Sequence, residues 1–223
     1  MQTFPTTAAI TAVLDIPAGR IQLIAADRAD ATVEVRPADA GKSRDVKLAE
    51  QIEISFTDGV LHVQAAPAKH KLLGHNGSVE ITVRLPAGSA VRAKTSAGQI
   101  RGVGRLGQVD AEVAQGPVKL DETGAATVTV ADGPIHIGRL GGPATLATQR
   151  GDITVAEAVT GTLTLTSQVG NLTVGADPQA SATLDAGTTV GRITNTLKNA
   201  TGAAADLTIH ATTTQGDITA RSN

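Results

Sequence analysis

From about residue 88 onward the chain repeats one short pattern of apolar and polar positions. A glycine is followed two residues later by a large aliphatic: Gly98 and Ile100, Gly116 and Val118, Gly133 and Ile135, Gly151 and Ile153, Gly170 and Leu172, Gly191 and Ile193, Gly216 and Ile218. Successive glycines are 18, 17, 18, 19, 21 and 25 residues apart. Five residues before four of these glycines stand Ala111, Val128, Leu146 and Leu165, and seven before stand Val109, Ala126, Ala144 and Leu163. Both columns are apolar, as strands with one buried face require. A turn residue and a core residue at a fixed period are the signature of a repeat architecture. A unit of about 18 residues is long enough for one coil of two or three short strands, each coil stacking on the next at about 4.8 Å. Like residues then stack on like, and residues 100 to 218 contribute one aliphatic column. Glycine permits a corner that a Cβ would obstruct, and Pro117 and Pro134 stiffen two of the corners. A right-handed coil is expected, because parallel crossovers within a sheet are almost always right-handed.

The first 87 residues alternate less regularly. Ile10 to Ile16 and Ile21 to Leu23 read as strand on either side of Pro17-Ala18-Gly19, and Ala31 to Val35 alternates cleanly. Residues 39–50 are polar and read as a loop with room for one helical turn. Ile52 to Phe56 and Val60 to Val63 flank Asp58-Gly59, a hairpin signal. Residues 67–78 are irregular and read as an exposed loop, and Val79 to Leu85 is a strand ending in Pro86-Ala87-Gly88. That ending echoes Pro17-Ala18-Gly19, which relates the opening section to the repeat. The fold expected is all-β: a parallel β-solenoid, or β-helix, with an N-terminal section that contains a β-hairpin. Residues 1–87 form the cap and 88–223 the repeat body of one continuous structural domain. The charged tail 217–221 is the candidate cap of the other end.

Composition narrows the chemistry. Only Phe4 and Phe56 are aromatic, so Val, Ile, Leu and Ala must build the core in thin, regular layers. Nineteen basic against 21 acidic residues give a net charge of -2, which offers no attraction for nucleic acid or an anionic membrane. The absence of cysteine removes disulfides and thiolate metal sites. No apolar run reaches the 18 residues or so of a membrane span, and residues 1–7 do not read as a secretory leader, so cytoplasmic residence is the expectation.

The Gly-Asp-Ile-Thr-Val unit at 151–155, together with Leu85-Pro86-Ala87-Gly88 and the opening Ile16-Pro17-Ala18-Gly19-Arg20-Ile21, resembles a bacterial family of β-strand repeats. This is the putative-adhesin family of unknown function, also called the toastrack domain, and the resemblance spans nearly the whole chain. It implies a β-helix-like fold without established catalytic residues. Some members of the family sit on the exterior of membrane-stress signalling proteins.

Candidate sites are few. Gly102-Val103-Gly104-Arg105-Leu106-Gly107 matches a dinucleotide fingerprint, but a strand pattern follows where a helix is needed. Gly138-Arg139-Leu140-Gly141 repeats its second half, so both read as corners. His70 and His75 lack a third metal ligand nearby in sequence, and His136, between Ile135 and Ile137, should point outward. Asp110, Glu112, Asp121, Glu122, Asp132 and Asp152 fall in different phases of the repeat and pair up for no acid–base role. The sequons at Asn76, Asn171 and Asn199 count as chance matches without a leader. The threonines stand out: Thr127, Thr129, Thr145, Thr164 and Thr166 share outward phases, with Thr154 and Thr162 nearby. They would make a flat surface of hydroxyls and methyls, suited to a partner protein or an ordered surface such as ice, although threonine also stacks well in any sheet.

The function expected is a non-enzymatic, adhesin-like scaffold or interaction protein without cofactor or metal. It binds a protein partner or itself through that threonine face or an end of the rod. A carbohydrate-active enzyme on the same rod is the alternative, to be recognised by charged groups converging in a groove.

Overall fold

The computed structural model describes residues 1–66 and 77–223. Among the described residues nineteen strands join in one hydrogen-bonded network, most of them parallel, with one α-helix. The repeat body is a stack of two-strand coils. One layer contains β8 (Val109–Gln115), β10 (Ala126–Asp132), β12 (Ala144–Arg150) and β14 (Gly161–Val169). The other contains β9 (Val118–Thr123), β11 (Ile135–Leu140), β13 (Ile153–Ala158) and β15 (Leu172–Ala176). The period-2 pattern turns one side of every strand inward. Val109, Ala126, Ala144 and Leu163 are register partners in one layer, and Val118, Ile135, Ile153 and Leu172 in the other. All eight are buried. With no aromatic to accommodate, the layers stay close and the dry spine runs unbroken.

The opening section belongs to the same ladder. β2 (Thr11–Ala26) and β7 (Ala90–Leu106) are long strands that run through the corner and serve both layers. Gly19 pairs with Gly98 and Ile21 with Ile100, so the echo between the two segments is a true register match. Beyond β2 lie β5 (Val60–Ala65) in one layer and β6 (Val79–Pro86) in the other, both parallel to it. Antiparallel strands then follow. β4 (Ile52–Thr57) pairs with β5 through the Asp58-Gly59 hairpin, where both residues have positive φ. β3 (Asp30–Pro37) pairs with β6, and β1 (Gln2–Pro5) with β3. The layers converge there, and Phe4 of β1 meets Phe56 of β4 with ring centroids 5.4 Å apart. The polar segment 39–50 holds a full helix, α1 (Ser43–Glu50), where a loop with room for one helical turn was expected; Leu48 buries against the core and the Asp45 carboxylate accepts the Ser78 N–H at 3.0 Å. The irregular loop expected at 67–78, with His70 and His75, lies mostly outside the described residues.

The far end departs from the expected order. The last strands in sequence, β18 (Leu207–Gln215) and β19 (Ile218–Ser222), do not end the stack. They insert between β14/β15 and the preceding coil, β16 (Ala182–Val190) and β17 (Ile193–Thr196). The tail 217–221 is therefore an inner rung and not a cap. Side chains explain the exchange. Four residues after the corner glycine, successive coils place Leu120, Ile137, Val155, Val174 and Ala220 inward, whereas β17 offers Asn195. An amide at that position would be buried without a partner inside the stack, at a cost of roughly 1–3 kcal/mol. On the outermost coil it stays exposed and accepts the Leu197 N–H at 3.0 Å. The connection 197–206 carries the chain back beneath.

One corner carries the whole stack. Gly19, 98, 116, 133, 151, 170, 216 and 191 lie one above another in that order. A Cβ on Gly116, whose φ is 132°, would collide with the carbonyl oxygen of Gly98 below. Three residues before the corner, Thr148, Ser167, Thr213 and Thr188 turn their hydroxyls inward and donate to the glycine carbonyl of the coil beneath, at 3.0–3.3 Å. One residue after it, Asp152 accepts the Asn171 N–H, Asn171 accepts that of Asp217, and Asp217 that of Arg192, at 2.7–2.9 Å. Pro117 and Pro134 occupy this position in earlier coils and have no N–H to satisfy.

Candidate interaction face

The outward side chains of β8, β10, β12 and β14 form flat columns on one layer. Thr127, Thr145 and Thr164 are successive register partners. Thr129, Ala147 and Thr166 make the neighbouring column. All five threonines singled out in the sequence thus lie on one face, exposed except for half-buried Thr164. The inserted coil extends them: Thr162 continues to Thr208 and Thr183, and Thr166 to Thr212. Rungs are about 4.8 Å apart and neighbouring columns roughly 6.6 Å, so the surface is a regular grid of methyls and hydroxyls. Shallow grooves run across it, one between Gln108, Thr127, Pro143, Thr145 and Thr162.

Charge borders the grid on both sides. Toward the start of the stack the same columns hold Arg92 and Asp110, then Asp15, Lys94 and Glu112. Lys94 Nζ lies 2.9 Å from a Glu112 carboxylate oxygen. Its hydrogen bond to that carboxylate, and then the carboxylate's charge, raise the Lys94 pKa above the ordinary value. Toward the far end His210 Nδ1 sits 3.3 Å from Asp185.

The opposite layer carries a second threonine column that sequence reasoning did not assemble. Thr154, Thr173, Thr219 and Thr194 follow one another in register beyond His136. Each stands three residues after its corner glycine, a spacing present in the sequence but hidden by the exchanged order of the last two coils. Beside it runs an alternating charged column, Arg105, Glu122, Arg139 and Glu157, with Arg139 Nε 2.9 Å from Glu157.

The acidic residues do not converge. Asp121 pairs with Arg101 at 2.7 Å, Asp132 with Arg150 at 3.4 Å, and Asp152 serves the corner. Among the described residues no group of three or more His, Asp or Glu side chains is placed to hold a metal ion. The Gly102 to Gly107 motif lies at the end of β7, where Gly104, at φ 79°, falls in an irregularity of the pairing with β9 and lies too close to the Ala25 carbonyl to admit a Cβ, and strand β8 follows it. Arg105 and Arg139 are in phase, as the repeated corner required.

A glycine-cornered stack of this kind fits one family model, Toastrack DUF4097, which matches residues 13–222. The chain belongs to the Toastrack DUF4097 family. No curated protein matches this toastrack chain. Solved structures similar to it include a putative cell adhesion protein from Clostridium sporogenes, 13% identical, covering 100% of this chain and 98% of that one with a TM-score of 0.42. A putative adhesin from Bacteroides fragilis is 13% identical over 98% of this chain and 95% of the other, TM-score 0.45. A putative lipid binding protein from Parabacteroides distasonis is 11% identical over the same shares, TM-score 0.47. Among the described residues no helix is long and apolar enough to cross a membrane.

Proposed function

We propose that this toastrack protein is a non-enzymatic, adhesin-like interaction module that docks a protein partner on its threonine face. The observation that carries this reading is the register alignment of Thr127, Thr145 and Thr164 beside Thr129 and Thr166, with Thr212 continuing the Thr166 column and Thr208 that of Thr162. Such a face is flat, nearly free of charge and rigid. Its hydroxyls can donate and accept, while its methyls lose little by leaving water, so docking costs little side-chain ordering. The charged border supplies orientation more than affinity. Residues 1–87 serve as the closed end of the rod in this reading, and 88–223 as the body that presents the face. The scattered carboxylates favour binding over glycan hydrolysis.

Immobilised protein compared with Thr145→Lys and Thr166→Lys variants tests the reading. Both positions are exposed, so folding should persist by circular dichroism. Wild type should retain a binding partner that both variants lose by tenfold or more. Partner retention unchanged in both variants, or hydrolysis of a polysaccharide panel by wild type, overturns it.

A further inference from the structure

The two ends of the stack are unlike. At one, antiparallel strands finish each layer and the Phe4–Phe56 pair draws the edges together, with Pro5 in the outermost strand. At the other, the outer edges of β16 and β17 have no pairing strand among the described residues. Apart from the Ala182 N–H, which donates to the Lys198 carbonyl at 3.0 Å, alternate N–H and C=O groups there point away from the stack, a template for another strand. Natural edges are usually guarded by lysine, proline or inward charges. β17 reads Ile-Thr-Asn-Thr and carries no charge. β16 carries only Asp185, which is engaged by His210. Val190 is 62% exposed and Ile193 43%, two of the few large hydrophobics left in solvent.

We infer that this open end is the interface with a second copy of the chain, joined end to end about a two-fold axis by pairing of the β16 and β17 edges. Three features select this occupant. The four residues of β17 are uncharged, and the charged Arg192 and Lys198 stand only beyond its two ends, so that strand itself offers no like charges to an identical edge. At the opposite end the outermost strands carry Pro5 in β1 and exposed Glu53 in β4, groups that guard an edge, which disfavours a head-to-tail contact and leaves the isologous arrangement in which the same patch serves both copies. The end face comprises β16, of 9 residues, β17, of 4, and the adjoining connection 197–206. That matches the roughly 20–30 residues a side of a standard stable interface. The dimer is a rod of double length with threonine grids on both halves, so a repetitive partner is bound bivalently.

Sedimentation equilibrium of the 223-residue chain over a concentration series, with a Val190→Lys/Ile193→Lys variant beside it, decides the matter. A dimer is expected at micromolar concentration, weakened on the order of 100-fold or more in the variant, because facing ammonium groups would be buried unpaired. Amide exchange should show β16 and β17 slowing as wild-type concentration rises, and not in the variant. A monomer at every concentration, a dimer indifferent to the substitutions, or species that grow beyond two copies each overturn the inference. Thr145→Lys should leave the dimer intact, which separates this test from that of the threonine face.

Discussion

Phe4 and Phe56, the only aromatic residues of the chain, stack against each other from strands of opposite layers, their planes inclined by 35°. They are 52 residues apart in sequence and close the mouth of the solenoid. An aromatic pair contributes about 0.5–1.5 kcal/mol beyond its buried area. Phe4→Leu and Phe56→Leu combined in a double-mutant cycle should show a coupling of that size by urea denaturation. Additive effects would mean that the rings close nothing.

Glycine substitutions should divide sharply between the corner and an outer strand. Gly116→Ala forces a Cβ into the backbone of the coil below at a positive φ, and should cost at least about 3 kcal/mol. Gly187, in exposed β16, has open space where its Cβ would go, and Gly187→Ala should stay within about 0.5 kcal/mol of wild type. Thermal melts of the two variants read the difference directly.

The inward hydroxyl column offers a contrast of sign. Thr148 donates to Gly133, and Thr148→Val should cost about 1 kcal/mol. Thr95 occupies the same phase, but its buried hydroxyl has no hydrogen-bond partner among the described residues. Thr95→Val should therefore be neutral or stabilising by up to about 1 kcal/mol. Chemical denaturation midpoints of the two variants should move in opposite directions, or only that of Thr148→Val should fall.

Coil order is tested by two isoleucines at one phase. Ile218 is buried on the inner rung and Ile193 is partly exposed on the outer one. Ile218→Ala should cost about 2–5 kcal/mol and Ile193→Ala less than about 1.5 kcal/mol in the monomer. Stacking in sequence order would reverse the ranking.

Alkaline titration bears on Lys94. Its pKa is raised in the folded state, so its contribution to stability is complete below the unfolded value of about 10.4 and is lost as pH climbs through the folded one. The unfolding midpoint of wild type should therefore fall toward that of Glu112→Gln as pH rises past 10. A difference between the two proteins that stays constant from pH 8 to 11 would contradict the pairing.

Much of this architecture was legible because one physical requirement recurs in every coil. The corner tolerates only glycine, and the position two residues later must be dry and aliphatic. Gly116 and Val118 state that rule, and Gly151 and Ile153 repeat it unchanged. The threonine columns were legible for the same reason, since outward phases follow once the inward ones are fixed. The order of the last two coils was harder to read. Its signal is the single amide of Asn195 at a position otherwise filled by Leu120, Ile137, Val155, Val174 or Ala220, set beside longer spacings that merely looked like insertions. The helix at 43–50 was missed because its apolar stripe amounts to Val46, Leu48 and Ala49, too little for a periodic pattern to register, and packing on β3 and β6 stabilises it.

The interleaving of β18 and β19 beneath β16 and β17 sets a problem for a chain made from one end to the other. Ribosomal synthesis delivers segments in sequence order, and early segments begin to fold while later ones are still being added. Here the coil delivered first belongs on the outside. β16 and β17 must either wait unattached or be lifted from a provisional seat on β14 and β15 when their replacement arrives. From β7 onward the growing protein therefore adds its rungs in order as far as residue 176, and the remainder takes its place in reverse.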